Sequence, residues 1–265
     1  MKHRKGLLSG IAIAASIAMA AGLSGCSGGE GDAEAELEDS YTYATDTSFV
    51  PFEFKEDGEY TGFDIDLITA SADDAGFELE QEVTNFDGII PGLQTGSFDL
   101  AVAGISITDE RKEAIDFSDP YYKSGLIVGV PTDNDDIKGV EDLDGKTVAT
   151  RLGSTSAAYI EDNIEGAEPK TYEQLDQAYL AVESGSADAV LYDQPNVAYY
   201  IRTEGEDKLK MVGDLQEAQD YGIAISKGNE NLVAAVNESL ASLKENGKYA
   251  EMYKEWFGEE PPSDD

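Results

Sequence analysis

The residue types that could carry out chemistry are few in this chain, and two of them occur only once. The single histidine is His3 and the single cysteine is Cys26, so the chain beyond position 26 contains neither an imidazole nor a thiol. Disulfides, thiolate nucleophiles, Ser-His-Asp triads and the usual His/Cys zinc or copper sites are therefore excluded there. Carboxylates, lysine, tyrosine or a hard metal with oxygen ligands remain, and we expect no cofactor and no bound metal.

Charge is the second global feature of the sequence. The chain has 18 Lys and Arg residues against 55 Asp and Glu residues, which gives a net charge of −37. Such a field repels nucleic acid and anionic lipid. Calcium binding is the alternative explanation, but the acidic residues are spread along the chain and no D-x-[DN]-x-[DN]-G loop occurs. The composition favours a solvated acidic surface suited to high salt, as in a halophilic protein.

The N-terminal residues have the pattern of a signal peptide. Lys2, Arg4 and Lys5 precede an uncharged apolar stretch, Leu7 to Leu23, and small residues follow it. Leu23-Ser24-Gly25-Cys26 resembles a lipobox, in which the cysteine is acylated and becomes the first residue of the mature chain. Plain secretion and a retained transmembrane anchor are the alternatives, although the stretch is at the short edge of what spans a bilayer.

Behind this leader, predicted strands and helices alternate, which is typical of an α/β fold with a mainly parallel sheet. They include a helix at Asp64 to Ala75 that stops at Gly76, a strand at Phe98 to Ala103 and a helix at Thr155 to Asn163. The alternation restarts after Asp119-Pro120-Tyr121-Tyr122, which indicates a second lobe. A strand at Tyr221 to Ser226 and a helix at Asn231 to Asn246 have no partners there, so we place them back on the first lobe. The chain therefore crosses twice between lobes, and these crossings, near Tyr121 to Gly125 and Glu217 to Tyr221, are predicted hinges.

The predicted organisation has five parts. They are a lipoprotein signal peptide (1–25), an acidic Gly/Ser tether (26–39), lobe 1 (40–121 and 218–259), lobe 2 (126–216) and an acidic C-terminal tail (260–265).

Several motifs, in order along the chain, resemble one known family. They are Ala44-Thr45-Asp46-Thr47-Ser48-Phe49-Val50-Pro51-Phe52-Glu53-Phe54, Gly62-Phe63-Asp64-Ile65-Asp66-Leu67, Gly88-Ile89-Ile90-Pro91, Ala103 to Arg111, Ile115 to Tyr122, Asp142 to Lys146 and Trp256-Phe257-Gly258. This series is similar to the amino-acid-binding family of ABC-importer solute-binding proteins. Glu217-Ala218-Gln219-Asp220-Tyr221-Gly222 and Asp193-x-Pro195-Asn196 resemble its glutamine-binding members most. The resemblance implies a two-lobed periplasmic-binding-protein fold of type II, with an amino acid held between the lobes.

An amino acid brings one carboxylate and one ammonium, and the resemblance implies a partner for each. Arg111 suits the carboxylate because its planar guanidinium makes paired, charge-assisted hydrogen bonds. Asp193 follows a predicted buried strand and suits the ammonium. Without the resemblance, Arg111 would be read as surface charge and Asp193 as the N-cap of the helix that begins near Pro195.

Further ligand contacts are expected where strands end, the usual position of ligands in open α/β sheets. Asp46 follows the first strand, Gly104 and Ser106 follow a buried strand, and Ser154 and Thr155 begin a helix whose N–H groups can hold a carboxylate. Runs such as Gly-Ser-Thr-Ser are mostly ordinary helix caps.

The resemblance also assigns the residues around the ligand's side chain. Phe49 and Phe86 match positions that enclose the aliphatic part of the ligand in glutamine-binding members. Arg151, Tyr192 and Thr155 stand where those members have lysine, histidine and glycine. Because an arginine fork and a tyrosine hydroxyl accept a carboxamide or a carboxylate, glutamine ranks first, glutamate second, and other polar amino acids stay open.

The expected function is that of a non-enzymatic, monomeric binding lipoprotein that delivers a polar L-amino acid to the permease of an ABC importer. It would be anchored on the outer face of the cell membrane through Cys26. An enzyme similar to the cyclohexadienyl dehydratases on this fold is the second possibility, although such an enzyme needs a positioned acid. A sensor that signals through a separate membrane subunit is the third.

The acidic composition makes a prediction about salt. Raising NaCl from dilute to molar concentration should increase the thermal melting temperature of the mature domain, because counterions screen the repulsion among the acidic groups. A melting temperature that stays level or falls over this range contradicts the interpretation.

Overall fold

The computed structural model describes residues 37–262, so the predicted signal peptide, Cys26 and most of the tether lie outside the described residues. The strands are β1 (Ser40–Thr45), β2 (Ser48–Phe49), β3 (Glu53–Glu56), β4 (Glu59–Thr61), β5 (Glu78–Val83), β6 (Leu100–Ala101), β7 (Asp116–Phe117), β8 (Tyr122–Pro131), β9 (Thr147–Arg151), β10 (Glu168–Tyr172), β11 (Ala189–Asp193), β12 (Leu209–Tyr221) and β13 (Ala224–Ile225). The helices are α1 (Phe63–Ala75), α2 (Phe86–Gln94), α3 (Asp109–Ala114), α4 (Thr155–Asn163), α5 (Leu175–Glu183), α6 (Gln194–Thr203), α7 (Glu230–Glu245) and α8 (Lys248–Phe257).

The predicted two-lobed α/β fold is confirmed, with one five-stranded sheet in each lobe. The first sheet has the order β5-β1-β6-β13-β7, and the second has the order β10-β9-β11-β8-β12. In the first sheet β5, β1 and β6 run parallel, and β13 pairs antiparallel with β6 and β7. In the second sheet β10, β9 and β11 run parallel, and β8 pairs antiparallel with β11 and β12. Both sheets are therefore mixed.

The C-terminal part of the chain pairs and packs with the first sheet and with α1. Strand β13 pairs with β6 and β7, and α7 lies against α1, where the Ser239 hydroxyl donates to the Ser71 carbonyl (3.0 Å). The predicted strands at Phe98 to Ala103 and Tyr221 to Ser226 are shorter than expected, because only two residues of each pair in the sheet. A small antiparallel sheet, β2-β3-β4, and helix α8 were not expected from the pattern.

The two crossings between lobes lie side by side as the antiparallel start of β8 and end of β12. Tyr122 is opposite Tyr221 and Ser124 is opposite Gln219, with register shifts before this pairing. Glu217, in the irregular part, has a positive φ of 38°. The predicted hinges fall on this ribbon, and the predicted lobe boundaries fall at its ends. A bulged, twisted pair of strands can absorb changes in backbone angle.

An aromatic cluster packs this ribbon against the first lobe. The Tyr122 ring stacks on Tyr221 (centroids 5.6 Å apart) and on Tyr253 of α8 (5.8 Å). Phe52 meets Tyr122 edge-on at 4.9 Å, and Phe63 meets Phe257 at 5.2 Å. Aromatic pairs at these distances contribute beyond the area that they bury, so the cluster fixes the ribbon and α8 together.

Helix α1 is placed by glycines at both ends. Gly62 has a φ of 129°, and a Cβ there would lie 2.1 Å from the Phe52 carbonyl oxygen, so only glycine allows this approach. Gly76 ends the helix in the left-handed conformation, as predicted. Among residues 37–262, none of the helices combines the length and the apolar character that crossing a membrane requires.

Candidate functional site

The polar residues proposed from the sequence lie at the carboxyl ends of the central strands of both lobes. Asp46 follows β1, Gly104 and Ser106 follow β6, Arg151 ends β9, and Asp193 ends β11. Because parallel strands end at a common edge, these positions meet where the two lobes face each other.

A buried ion pair joins the two lobes at this edge. Arg151 Nη2, from the second lobe, donates to Asp46 Oδ2, from the first, and both side chains are 1% exposed. The Ser48 hydroxyl also donates to Asp46 Oδ2 at 3.3 Å. Charges desolvated to this degree are stable only when they are paired, so the pair requires the lobes to stay aligned around it.

Arg151 has further donors that this pair does not use. Its Nε and Nη1 atoms are buried and find no acceptor among the described residues, while its guanidinium lies 5.0 Å from the Phe86 ring centroid. Burial alone would lower the pKa of Arg151, but Tyr192, Asp46 and Glu53 raise it overall, so the group is cationic. Two buried N–H donors without acceptors indicate a place for a ligand oxygen.

Arg111 also lies near the Phe86 ring, at 5.7 Å from the ring centroid. Helix α3 begins at Thr108, whose hydroxyl accepts from Arg111 N at 3.1 Å and fixes where the side chain leaves the helix. Nη1 donates to the Ser106 carbonyl (2.9 Å), and Nη2 reaches across the lobes to the Gly153 carbonyl (3.2 Å). Both acceptors are neutral, and within the described part of the chain the positive charge has no ion-pair partner in direct contact.

Two of the proposed ligand hydroxyls converge on one residue that the sequence reasoning did not assign to the site. Ser106 Oγ and Thr155 Oγ1, from different lobes, both donate to Gln219 Oε1, at 2.7 and 2.8 Å. Gln219 lies on β12 in the ribbon between the lobes, and it is 8% exposed. A single oxygen therefore receives donors from both lobes beside Arg111.

Asp193 is not a helix cap, although it occupies the N-cap position of α6. Its side chain makes no capping bond and instead accepts from the Tyr221 hydroxyl. Burial raises the pKa of Asp193 to about 6, although Tyr221, Arg111 and Arg151 act in the opposite direction. Among residues 37–262 no cation is in direct contact with this buried carboxylate, so it is able to accept from a cationic donor.

The Ser154 hydroxyl is used inside the protein. It accepts from Ala157 N (3.2 Å) as the N-cap of α4, and it donates to the Arg151 carbonyl (2.7 Å). The ordinary cap explains this residue, and its hydroxyl holds the end of β9 and the start of α4 together.

The predicted apolar wall is formed by Phe49, which is 1% exposed and stacks on Phe52 at 4.8 Å. Its ring meets Tyr192 edge-on at 5.9 Å, so aromatic groups of both lobes are in contact. Gly104, with a φ of 54°, lies against the same ring, and a Cβ there would be 2.1 Å from Phe49 Cε1. Glycine is required at this close approach.

Other contacts close the lobes on either side of these residues. Asn196 Nδ2 donates to the Val50 carbonyl at 2.7 Å, and at the exposed rim Asn85 donates to Glu173 (3.3 Å) and accepts from Gln174 (3.1 Å). A depression of about 660 Å³ remains between the lobes and is lined by residues that include Arg111, Gly153, Thr155 and Tyr159. Within residues 37–262 no group of three or more His, Cys, Asp and Glu residues is arranged to hold a metal ion.

The sequence reasoning missed two residues of this arrangement, Gln219 and Tyr221. Both lie in the predicted hinge Glu217 to Tyr221, whose sequence resembles glutamine-binding members, and they are two positions apart on β12. Side chains at i and i+2 of a strand share a face, so the alternation could have identified them together.

Comparison with known proteins places the chain in a family. Residues 41–259 match the family model of bacterial extracellular solute-binding proteins, family 3. The L-cystine-binding protein TcyJ of Escherichia coli (strain K12) is 32% identical over 213 residues, which is 80% of each chain. The ABC transporter glutamine-binding protein GlnH of Bacillus subtilis (strain 168) is 36% identical over 222 residues, which is 82% of this chain and 80% of GlnH.

A solved structure agrees with these relatives. The ancestral amino acid-binding protein AncCDT-1, described as a precursor of cyclohexadienyl dehydratase, is 41% identical, with a TM-score of 0.77, and the match covers 83% of this chain and 96% of that one. The chain belongs to family 3 of the bacterial extracellular solute-binding proteins.

The buried ion pair generates a prediction. Asp46→Asn should destabilise the protein by about 3 kcal/mol, because it leaves the Arg151 charge buried without its partner. The measurement is the free energy of unfolding in urea. As a control, Asp109→Asn breaks the exposed Lys112–Asp109 pair (3.8 Å) and should have little effect.

The double variant Asp46→Asn with Arg151→Gln separates charge imbalance from lost packing. It should recover most of the stability because no uncompensated charge stays buried. Equal stability of Asp46→Asn and the unmodified protein would show that the pair is not desolvated in solution.

Proposed function

We propose that this protein binds an L-α-amino acid between its lobes and delivers it to an ABC importer, without chemical change. The observation that carries the proposal is the pair of opposite charges at Arg111 and Asp193. They interact electrostatically within one cleft, yet neither has an ion-pair partner in direct contact. A zwitterion is the ligand that neutralises both at once.

The donors around Arg111 support the carboxylate end of this ligand. Arg111 supplies a guanidinium fork that contacts the Ser106 carbonyl, and the Ser106 and Thr155 hydroxyls both donate to Gln219 Oε1. A carboxylate offers the same kind of acceptor with a full charge. Since these donors come from both lobes, the ligand would stabilise the state in which the lobes meet, which is how binding selects closure.

The ligand's side chain would lie toward Arg151 and Tyr192. Asp46 already neutralises Arg151, but Nε and Nη1 are unused, so this end offers hydrogen-bond donors without a spare positive charge. A carboxamide oxygen fits this description, whereas the carboxylate of glutamate would add an unbalanced negative charge. Glutamine is therefore the first candidate, glutamate the second, and other polar amino acids follow.

An enzymatic function on the same fold is the second candidate, and the AncCDT-1 likeness is the observation that favours it. The residues beyond Cys26 include no histidine. Asp193, whose pKa is raised to about 6, is the acid best placed in the cleft, but its position beside the Arg111 charge suits binding of an ammonium group. Capture without turnover is the proposal that uses both charges.

The proposed location follows from the N-terminal pattern. Acylation at Cys26 would hold the domain at the outer face of the cell membrane by the acidic tether, where a monomer could present its closed lobes to the permease. The acidic surface would keep the domain soluble in high salt.

The test of ligand identity is isothermal calorimetry in high salt with glutamine, glutamate, histidine, arginine, aspartate and cystine. Glutamine is expected to bind with the highest affinity and one-to-one stoichiometry, and chromatography should recover it unchanged. Higher affinity for glutamate would overturn the argument from the neutralised Arg151, and conversion of a bound compound would favour the enzyme.

Arg111→Ala should reduce affinity for the tested amino acids at least about 100-fold, because it removes charge-assisted bonds to the ligand carboxylate. Circular dichroism should show an unchanged fold. The matched control is Arg202→Ala, an exposed residue of α6 whose guanidinium lies 5.1 Å from the Tyr199 ring centroid. Retained affinity in Arg111→Ala would refute its assignment as the carboxylate partner.

A further inference from the structure

Two carboxyl groups, those of Glu53 and Asp64, are buried together beneath the cleft. Both residues are 0% exposed, although Glu53 is on β3 and Asp64 is in the first turn of α1. Backbone hydrogen bonds tie the two segments, from Phe63 N to the Pro51 carbonyl (3.0 Å) and from Asp64 N to the Phe52 carbonyl (2.8 Å). Each carboxyl group acts on the pKa of the other, as neighbouring buried acids do.

The hydrogen bonds around these carboxyl groups are unevenly distributed. Asp64 Oδ2 accepts from Gly104 N (2.7 Å) and from the Tyr121 hydroxyl (2.8 Å). The other three oxygens, both of Glu53 and Oδ1 of Asp64, receive no donor from any other group in the described chain. Two adjacent carboxylates without donors would repel each other in a region that excludes water, so a proton between them is the arrangement that satisfies both.

The charged and titratable groups that face the pair are Asp46, Arg151 and Tyr121. Burial, with Asp64 and Asp46 nearby, raises the pKa of Glu53 well above its usual range, although Arg151 acts against this. Burial raises the pKa of Asp64 to about 7, opposed by the bonds from Gly104, Tyr121 and Glu53. Glu53 receives no donor, so it keeps the proton. Asp64 receives two donors, which stabilise its ionised form.

We propose that Glu53 and Asp64 share one proton, and that this acid pair positions the binding site by holding Gly104 at the cleft and Tyr121 at the start of the interlobe ribbon. Asp64 is the only described carboxylate that touches both places, since Gly104 lies against Phe49 and Tyr121 directly precedes β8. Neither residue touches the proposed ligand, so both act through their neighbours. The effect on affinity rests on the proposed function, whereas the shared proton does not.

The proton makes the arrangement sensitive to pH. A carboxyl group whose pKa is higher in the folded than in the unfolded protein binds its proton more tightly when folded. The free energy of unfolding therefore falls as pH rises above the usual carboxyl range, and it continues to fall through the raised pKa. For Asp64 this window runs from about 4 to about 7, and for Glu53 it extends further toward alkaline pH.

The decisive variant is Glu53→Gln, because its amide donates to Asp64 at every pH and so imitates the protonated acid. Thermal melting of the ligand-free protein between pH 6 and 8.5 is the first measurement. The melting temperature of the unmodified protein should fall over this range, and that of Glu53→Gln should fall less and be higher by at least about 3 °C at pH 8.

The control is Asp99→Asn. Asp99 also accepts a backbone N–H, from Thr42 at 2.8 Å, and it has no carboxyl partner in contact, so its variant should keep the unmodified slope. If Glu53→Gln keeps the unmodified slope or melts lower at pH 8, the shared proton is refuted. Infrared difference spectra provide a second readout, since the carbonyl stretch of a protonated carboxyl group should be present at pH 8 and absent in Glu53→Gln.

The positioning role is tested by calorimetry with the amino acid that binds best, between pH 7 and 8.5, which lies above the raised pKa of Asp193. Affinity of the unmodified protein should decrease as pH rises, and Glu53→Gln should remove most of this dependence. Asp64→Ala, which leaves Gly104 N unpaired, should weaken binding about tenfold or more.

The two hypotheses fail in different ways. If Glu53→Gln flattens the dependence of melting temperature on pH, but its affinity changes with pH in parallel with that of the unmodified protein, the shared proton is supported and its role in binding is refuted. If none of the amino acids binds, the proposed function fails, and the ligand-free melting and infrared results still decide whether the proton is shared.

Discussion

The interaction on which the rest of this structure depends is the buried contact between Arg151 and Asp46. It places one charge from each lobe in a region that excludes water, where neither is stable alone. The lobes can therefore meet in few relative positions, and the neighbouring side chains pack around the Arg151–Asp46 contact. Phe86 lies against both guanidinium groups, and Arg151 retains two unused donors inside the cleft. Alignment of the lobes and the polarity of the cleft have the same physical cause.

The ribbon of β8 and β12 connects this contact to the rest of the protein. Gln219 and Tyr221 on β12 reach the hydroxyls of both lobes and the Asp193 carboxylate. The Tyr221 ring also stacks on Tyr122, within the aromatic cluster that includes α8. A change in the angle between lobes must therefore alter hydrogen bonds in the cleft, since the same side chains belong to both. The segment that would bend is also part of the site.

The sequence alone supported much of the fold and about the right region for the site, for identifiable reasons. Helix α4 has the predicted bounds of Thr155 to Asn163, and α1 ends at Gly76, because local periodicity and glycine act over a few residues. The motif resemblance singled out Arg111, in the short helix α3, and Asp193, at the end of β11. The convergence of Ser106, Thr155 and Gln219 was not predictable in this way, because it depends on three segments far apart in sequence meeting in space. The Glu53–Asp64 pair was missed for the same reason, since each acid in isolation resembles the many exposed acids of this chain.

The central claim is that an amino acid bridges charges of the two lobes and so favours their closure. Fluorescence energy transfer tests it directly, with dyes at Glu80→Cys in the first lobe and Asp162→Cys in the second, both exposed, in a chain whose only native cysteine, Cys26, is replaced by serine. Adding glutamine should increase transfer efficiency in this labelled protein, and it should have no effect when Arg111→Ala is also present. Saturating glutamine binding with no change in transfer, or an equal change in Arg111→Ala, would contradict the account.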